Sequence, residues 1–182
     1  MSETAVVILN YNGVAFLKKY LPTVILYSEG AEIVVADNAS TDESVEFMKR
    51  EFPQVRLLEN EANAGFAGGY NWALSQTKAD YYVLLNSDIE VTPNWLQPVI
   101  ELMESDRTIA ACQPKIRSVF QKDHFEYAGA SGGFIDQWGY PFCRGRVFEE
   151  IEKDEGQYDD VREVFWATGA CLFVRADVYH RL

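Results

Sequence analysis

The chain has 182 residues, 48% of them hydrophobic, and its 28 acidic against 16 basic side chains leave a net charge of −12. That length supplies one domain with a sizeable core, and that charge excludes a nucleic-acid backbone as a partner. Cys112, Cys143 and Cys171 are too few and too widely spaced for a disulfide framework or a zinc site and point to a reducing compartment, while no apolar run approaches the ~20 residues that cross a bilayer.

The chain opens on an apolar run, Val6-Val7-Ile8-Leu9, and closes it with Asn10-Tyr11-Asn12. A strand this early leaves no signal peptide to expect ahead of the fold. Helical spacing follows at Phe16, Leu17, Leu21 and Val24, with Pro22 expected to kink or stop the helix. Ile33-Val34-Val35-Ala36 is a second buried strand, ended by Asp37-Asn38. Ser40-Thr41-Asp42-Glu43 reads as a capping box, in which Ser40 and Glu43 satisfy each other's amides ahead of a helical stripe of Val45, Met48 and Phe52.

Val55-Arg56-Leu57-Leu58 is a short strand, and residues 64–77 form a helix with a glycine-rich start. Tyr81-Tyr82-Val83-Leu84-Leu85 is a third apolar run, ended by Asn86-Ser87-Asp88. Thr92-Pro93 reads as the N-cap and first position of a helix that buries Leu96, Val99, Ile100 and Met103. Strand and helix thus alternate to residue 105, which predicts an α/β fold with a largely parallel sheet.

Beyond that point the pattern changes. Residues 109–116 and 164–174 read as strands in a mixed or antiparallel part, with a hairpin about Asp136-Gln137-Trp138-Gly139. This half is expected to form the floor or rim of a second binding site. Residues 149–163 hold eight acidic and two basic side chains, the pattern of a solvated, mobile loop. Phe134, Trp138, Tyr140 and Phe142 read as packing residues, and His124 and His180 as isolated turn or surface residues without a nucleophile partner.

Three polar clusters at the ends of three strands define one candidate site, because such sheets bind ligands at their carboxyl ends. Asp37 is an acceptor suited to a nucleobase imide N–H; the other reading is a cap of its own turn, and the ligand role is favoured because Ser40 can already cap the helix. In Asn86-Ser87-Asp88, oxygen-bearing side chains two apart suit Mg²⁺ or Mn²⁺ beside a phosphate, or else a plain turn. Asn63-Ala64-Gly65-Phe66-Ala67-Gly68-Gly69-Tyr70-Asn71 places glycines at a helix start, for an anion or for close packing. It lacks the lysine of a P-loop and does not follow the first strand as a dinucleotide fingerprint does. Trp166, with Thr168 and Gly169 beyond it, sets an aromatic beside small groups, as a sugar site or a tight core crossing would.

Taken in order, Val7-Ile8-Leu9-Asn10-Tyr11-Asn12, Val35-Ala36-Asp37-Asn38-Ala39-Ser40-Thr41-Asp42, the Asn63 to Gly69 glycine segment, Leu84-Leu85-Asn86-Ser87-Asp88 and Thr168-Gly169-Ala170 resemble the motifs of family 2 glycosyltransferases. The rhamnosyltransferase-like enzymes of bacterial surface polysaccharide synthesis are the subgroup most similar. The resemblance covers residues 5 to about 175. It implies a single GT-A domain over residues 1–182, with a nucleotide-binding half at 1–105 and an acceptor-side half at 106–182, incomplete at its C-terminus.

The resemblance further implies an inverting enzyme that takes a UDP- or dTDP-sugar and a divalent metal, Mg²⁺ or Mn²⁺. By position, Asn10, Tyr11, Asn12 and Asp37 meet base and ribose, and Asn63, Gly65, Gly68 and Asn71 line the donor pocket. Asn86 and Ser87 lie near ribose or phosphate, with Asn86 standing where the family often has an aspartate, and Asp88 binds the metal. Trp166, Thr168 and Gly169 face the acceptor or the donor sugar. The acceptor is a glycan or lipid-linked, handled in the cytoplasm or at the cytoplasmic face of the inner membrane through a peripheral contact. No residue of 1–182 matches the family's catalytic base, which is expected after Leu182, so this piece is expected to bind donor and transfer no sugar. A non-catalytic nucleotide-sugar-binding or scaffolding module is the alternative reading. A nucleotidyltransferase or a dehydrogenase fails on the loop Asn10-Tyr11-Asn12-Gly13, which carries neither the basic nor the glycine pattern either needs.

Overall fold

A computed structural model describes residues 2–182. The elements run β1 (Thr4–Asn10), α1 (Val14–Tyr27), β2 (Glu32–Asp37), α2 (Ser44–Glu51), β3 (Arg56–Glu59), α3 (Gly65–Leu74), β4 (Tyr81–Asn86) and α4 (Gln97–Ser105). There follow β5 (Ala111–Cys112), β6 (Gly133–Ile135), β7 (Pro141–Cys143), β8 (Arg146–Val147), β9 (Glu150–Ile151), β10 (Cys171–Arg175) and α5 (Ala176–Tyr179).

The main sheet has the order β3-β2-β1-β4-β10-β5. Its first four strands are parallel, and β10 and β5 are antiparallel additions. Strand order reverses between β1 and β4, since β2 and β3 lie to one side of β1 and β4 to the other. Such a reversal opens a crevice at the carboxyl ends of the strands.

The unbroken apolar strands are explained by their two covered faces. Val6, Ile8, Val35, Val83, Leu85 and Phe173 pack toward the side of α1, α2 and α4, where Leu17, Leu21, Met48, Ile100 and Met103 meet them. Ala5, Val7, Val34, Ala36, Leu84 and Val174 face Tyr70, Ala73 and Leu74 of α3 on the other side. The result is helix, sheet, helix. Among these, α3 sits unusually close to β1, because Gly69 has no Cβ and one there would lie 2.7 Å from Leu9 Cδ1.

Several local expectations are corrected. Pro22 lies inside α1 without stopping it, since the helix runs five residues further to Tyr27. Thr92-Pro93 does not open a helix: α4 begins at Gln97 with Pro98 in its first turn. The strands predicted over 109–116 and 164–174 shrink to β5 and β10. Residues 149–163 are not a free loop. Lys115 bridges Asp154 at 2.8 Å and also meets Asp159, Arg144 pairs with Asp160, and Tyr158 donates to Glu152 at 2.9 Å. The hairpin at 136–139 is present, closed by Asp136, whose side chain accepts from the amides of Trp138 and Tyr140. Phe134 and Phe142 stack across it as packing residues, while Trp138 and Tyr140 are exposed. Nor is His180 isolated, since its Nε2 lies 2.9 Å from the Tyr82 hydroxyl.

The capping box is also replaced. Ser40 turns away from α2, and Asp42 takes over. One Asp42 oxygen accepts from the Ser44 amide at 2.9 Å and the other from the Val14 amide at 3.0 Å, so a single carboxylate sits at the starts of both α1 and α2. Burial pushes its carboxyl upward, but the hydrogen bonds from Ser44 and Val14 outweigh this and hold it below the usual 3.8. A carboxylate lowered in the folded state stabilises above its unfolded value and loses that contribution as pH falls through the folded one. Asp42→Ala is therefore expected to lower stability by about 1–2 kcal/mol at neutral pH. Urea unfolding should show the gap between variant and parent closing as the pH drops below 3.8. A gap that persists unchanged there would mean that Asp42 does not act as an ionised cap.

Candidate functional site

Register brings the polar strand ends into one row. Asn10 pairs with Asp37 across β1 and β2, and Leu9 pairs with Asn86 across β1 and β4. The three clusters predicted from sequence do converge, at the crevice where strand order reverses.

Within that row Asp37 is 2% exposed and Asn10 fully buried. Asp37 Oδ2 accepts from Asn10 Nδ2 at 3.0 Å, and Oδ1 accepts from the Ser40 amide at 2.8 Å. The Ser40 hydroxyl then accepts from the Asn12 amide at 2.9 Å and from Asn10 Nδ2 at 3.2 Å. Asn12, with φ of 51°, accepts on its side-chain oxygen from the Thr41 amide at 2.7 Å. Asp37 and Asn10 thus shape the loops from beneath and are not among the residues that line the open pocket. Asn12 clips residues 40–42 in the same supporting way.

Asn38 was not singled out in the sequence, yet it holds the far wall. It is 2% exposed. Its Nδ2 donates to Asn63 Oδ1 at 2.9 Å and to the Gly65 carbonyl at 3.1 Å. Its Oδ1 accepts from the Ala64 amide at 3.1 Å and from Asn60 Nδ2 at 3.2 Å. The only local signal was its place directly after a strand end. Gly65, at φ 71°, makes the turn into α3.

Above this scaffold lies an open pocket of about 360 Å³, lined by Leu9, Tyr11, Phe16, Asn38, Asn63, Gly65, Phe66, Asn86, Ser87 and Asp88. A wider cleft of about 840 Å³ adjoins it and shares Phe66, Asn86 and Asp88. Its other wall includes Lys115, Arg117, Glu126, Thr168 and Gly169. Of the predicted residues, Tyr11, Asn63, Gly65, Asn86, Ser87 and Asp88 meet in the pocket, and Thr168 and Gly169 face the cleft.

Beside the supporting Asn10, Asn12 and Asp37, three more predicted residues lie apart. Gly68 lines neither space, and its missing Cβ faces Ala64 at 3.0 Å. Asn71 is exposed further along α3 and accepts from the Tyr179 hydroxyl. Trp166 packs its ring over Gly133 of the second, four-stranded sheet, whose order is β6-β7-β8-β9, where a Cβ would stand 1.9 Å away, and it does not front the cleft.

Asp88 is exposed, and among the described residues no hydrogen bond or ion pair engages its side chain. Asn86 beside it is half-buried, with its amide donating to the Ala170 carbonyl at 2.9 Å. No group of three or more His, Cys, Asp or Glu side chains that could enclose a metal occurs among the described residues. An unpaired carboxylate beside an amide and a hydroxyl fits a hard divalent cation whose remaining positions are filled by phosphate oxygens and water. No helix among the described residues is long and apolar enough to cross a membrane.

A three-layer α/β domain with its pocket at a strand-order reversal is of the doubly wound type, which takes its ligands at the carboxyl ends of the strands. More narrowly, the chain belongs to glycosyl transferase family 2, whose pattern it matches over residues 5–181. It is 25% identical over 190 residues to an N-acetylglucosaminyl-diphospho-decaprenol L-rhamnosyltransferase of Mycobacterium tuberculosis, covering 96% of this chain and 62% of that one. The chain thus spans somewhat under two thirds of that curated relative. In three dimensions it resembles GalNAc-T7 solved with UDP, GalNAc and Mn²⁺, at a TM-score of 0.70 and 18% identity over 99% of this chain and 36% of the other. It also resembles a mannosyltransferase of Pyrobaculum calidifontis in complex with GDP-Man and Mn²⁺, at a TM-score of 0.58 and 22% identity over 64% of this chain and 36% of that one. Both likenesses bear out the GT-A fold expected from the motifs.

Because Asn38 holds four partners with one buried side chain, Asn38→Ala is expected to lower stability by about 2–4 kcal/mol, at roughly 1 kcal/mol net for each hydrogen bond. Hydrogen exchange should speed up at residues 60–65, where it holds the Ala64 amide, the Gly65 carbonyl and the side chains of Asn60 and Asn63. A variant of unchanged stability and unchanged exchange would show that the pocket wall stands without it.

Proposed function

We propose that this domain carries the donor site of an inverting glycosyltransferase. The observation that carries the reading is the joining of Tyr11, Asn38, Asn63 and Asp88 in one pocket at the strand-order reversal. In this reading the base and ribose lie over the loops that Asp37 and Asn38 hold, against Tyr11. The diphosphate lies toward Asn86, Ser87 and Asp88, and a divalent cation, Mn²⁺ or Mg²⁺, is held by Asp88 with the side-chain oxygen of Asn86. When bound, such a cation neutralises the charge of the leaving diphosphate.

A cation matters more here than in a basic protein. Opposite charges about 4 Å apart attract by ~4 kcal/mol at an effective dielectric of 20, and repulsion is of the same size. Asp88 alone would repel a diphosphate. The same proposal assigns residues 1–105 mainly to the donor and the cleft walled by residues 114–128 and 168–171 to the acceptor, a glycan or a lipid-linked sugar of cell-surface polysaccharide synthesis. The rhamnosyltransferase relative, named for a diphospho-decaprenol acceptor, supports that class of acceptor and a site of action beside a membrane.

Transfer in this scheme is a direct displacement. The acceptor hydroxyl enters from the cleft, attacks the anomeric carbon opposite the diphosphate and gives its proton to a carboxylate base. The carboxylates on the cleft wall are Asp88, Glu90 and Glu126. Glu126 holds the amides of Ala128 and Gly129 at 2.7 and 2.8 Å, which marks it as a loop anchor.

Calorimetry with UDP and dTDP in the presence of Mn²⁺ tests the reading. The parent is expected to bind both, and Asp88→Ala to weaken binding about tenfold or more, the loss of one charged contact. Equal affinities for the variant and the parent would remove Asp88 from the diphosphate end, and the absence of binding by both nucleotides would overturn the donor site as a whole.

A further inference from the structure

One residue stands at the junction of the two compartments. Phe66, in the first turn of α3, lines both the pocket and the cleft and keeps 53% of its surface exposed. Exposed phenylalanine in a site of amides and carboxylates has no polar atom to offer a nucleotide. Leaving about half of its ring in water forgoes part of the stabilisation that burial would bring.

The ring is also held in place from two sides. Tyr70, fully buried, meets it edge to face at a centroid distance of 5.0 Å. Tyr70 is itself fixed by a hydrogen bond from its hydroxyl to the Leu85 carbonyl at 3.1 Å, on the strand that leads to Asn86. On the other side the ring edge rests against Gly169, where a Cβ would lie 3.0 Å from Phe66 Cζ and 3.1 Å from Cε1. A Cβ at this point of the cleft wall would press on the ring edge and shift it by a few tenths of an ångström.

A fixed aromatic face between the diphosphate end of one space and the opening of another is suited to the C–H face of a pyranose. Resting on the proposed donor site, we infer that Phe66 is the platform on which the transferred sugar lies, and that Gly169 and Tyr70 position it there. The ring would then act on the sugar and not on the nucleotide, holding the anomeric carbon toward the cleft. It is a positioning residue in contact with the donor's sugar, and it makes a hydrophobic sugar face, as in a deoxysugar, the better occupant.

Two affinities in one experiment test this. Calorimetry with Mn²⁺ compares UDP with UDP-GlcNAc and dTDP with dTDP-rhamnose, and the readout is the factor by which the sugar improves or changes binding. In the parent the sugar is expected to improve binding in at least one pair. Phe66→Ala should reduce that factor about fivefold to tenfold, the worth of an aromatic contact. Phe66→Tyr and Phe66→Trp should keep it, whereas Phe66→Leu should not. Gly169→Ala, which displaces the ring without removing it, should reduce it in the same direction.

A sugar factor that Phe66→Ala leaves unchanged, or a fall of the same size in nucleotide and sugar-nucleotide affinity, would overturn the inference while the donor site stands. A sugar that adds nothing in either pair of the parent would overturn it in the same way. Absence of binding by both UDP and dTDP would overturn the donor site, and this inference with it.

Discussion

A carboxylate buried at the end of β2 sets the constraint on which the site depends. Asp37 cannot leave water without donors for its oxygens. It finds them in Asn10 Nδ2 and the Ser40 amide, one at the end of the neighbouring strand and one in its own following turn. The pair locks the loops after β1 and β2 to each other. Gly13 makes room for the arrangement, since a Cβ there would stand 2.3 Å from Asn10 Oδ1. With those loops fixed, Asn12 can hold residues 40–42 and Asp42 can reach the first amides of both α1 and α2. Asn38, next along the chain, then fixes the approach to α3. Two strands and three helices are thus arranged around one polar row before any ligand arrives.

Much of the fold was legible because its signals are local. Runs such as Val6-Val7-Ile8-Leu9 and Tyr81-Tyr82-Val83-Leu84-Leu85 are apolar on both faces, and both faces are indeed covered. The polar residues that end them marked the carboxyl edge. The meeting of Asn63, Gly65 and Asn86-Ser87-Asp88 in one pocket follows from the parallel register and the reversal of strand order.

What was not legible depends on partners far away in the chain. Ser40 has the local sequence of a capping residue, but Asn10 and Asn12, some 30 residues earlier, take its hydroxyl, and Asp42 caps instead. Asn71 has the look of a pocket residue in its motif, yet a helix of ten residues carries it past the pocket to Tyr179. Trp166 has sugar-site neighbours in sequence, but Gly133 offers its ring a flat seat. The acidic stretch reads as solvated because its countercharges, Lys115 and Arg144, come from other segments.

The two compartments differ in how they are made, which bears on how they work. The pocket is built at the ends of strands buried in the core, where position is fixed to the precision of the sheet. The adjoining cleft is walled by residues 114–128 and by the segment leading into β10, which rest on loop contacts and ion pairs. On the proposed reading the precise end takes the donor and the more adaptable wall the acceptor, so that one leaving group is held in place while a bulkier partner enters. The central claim is that a nucleoside diphosphate sits at the carboxyl edge between β1, β2 and β4. Backbone chemical shifts of the isotope-labelled protein, followed while UDP and Mg²⁺ are added, test it most directly. The account predicts that the largest changes fall at residues 10–13, 38–40, 63–69 and 86–88. Saturating binding with shifts confined to residues 133–151 of the second sheet, and none at the strand ends, would contradict it.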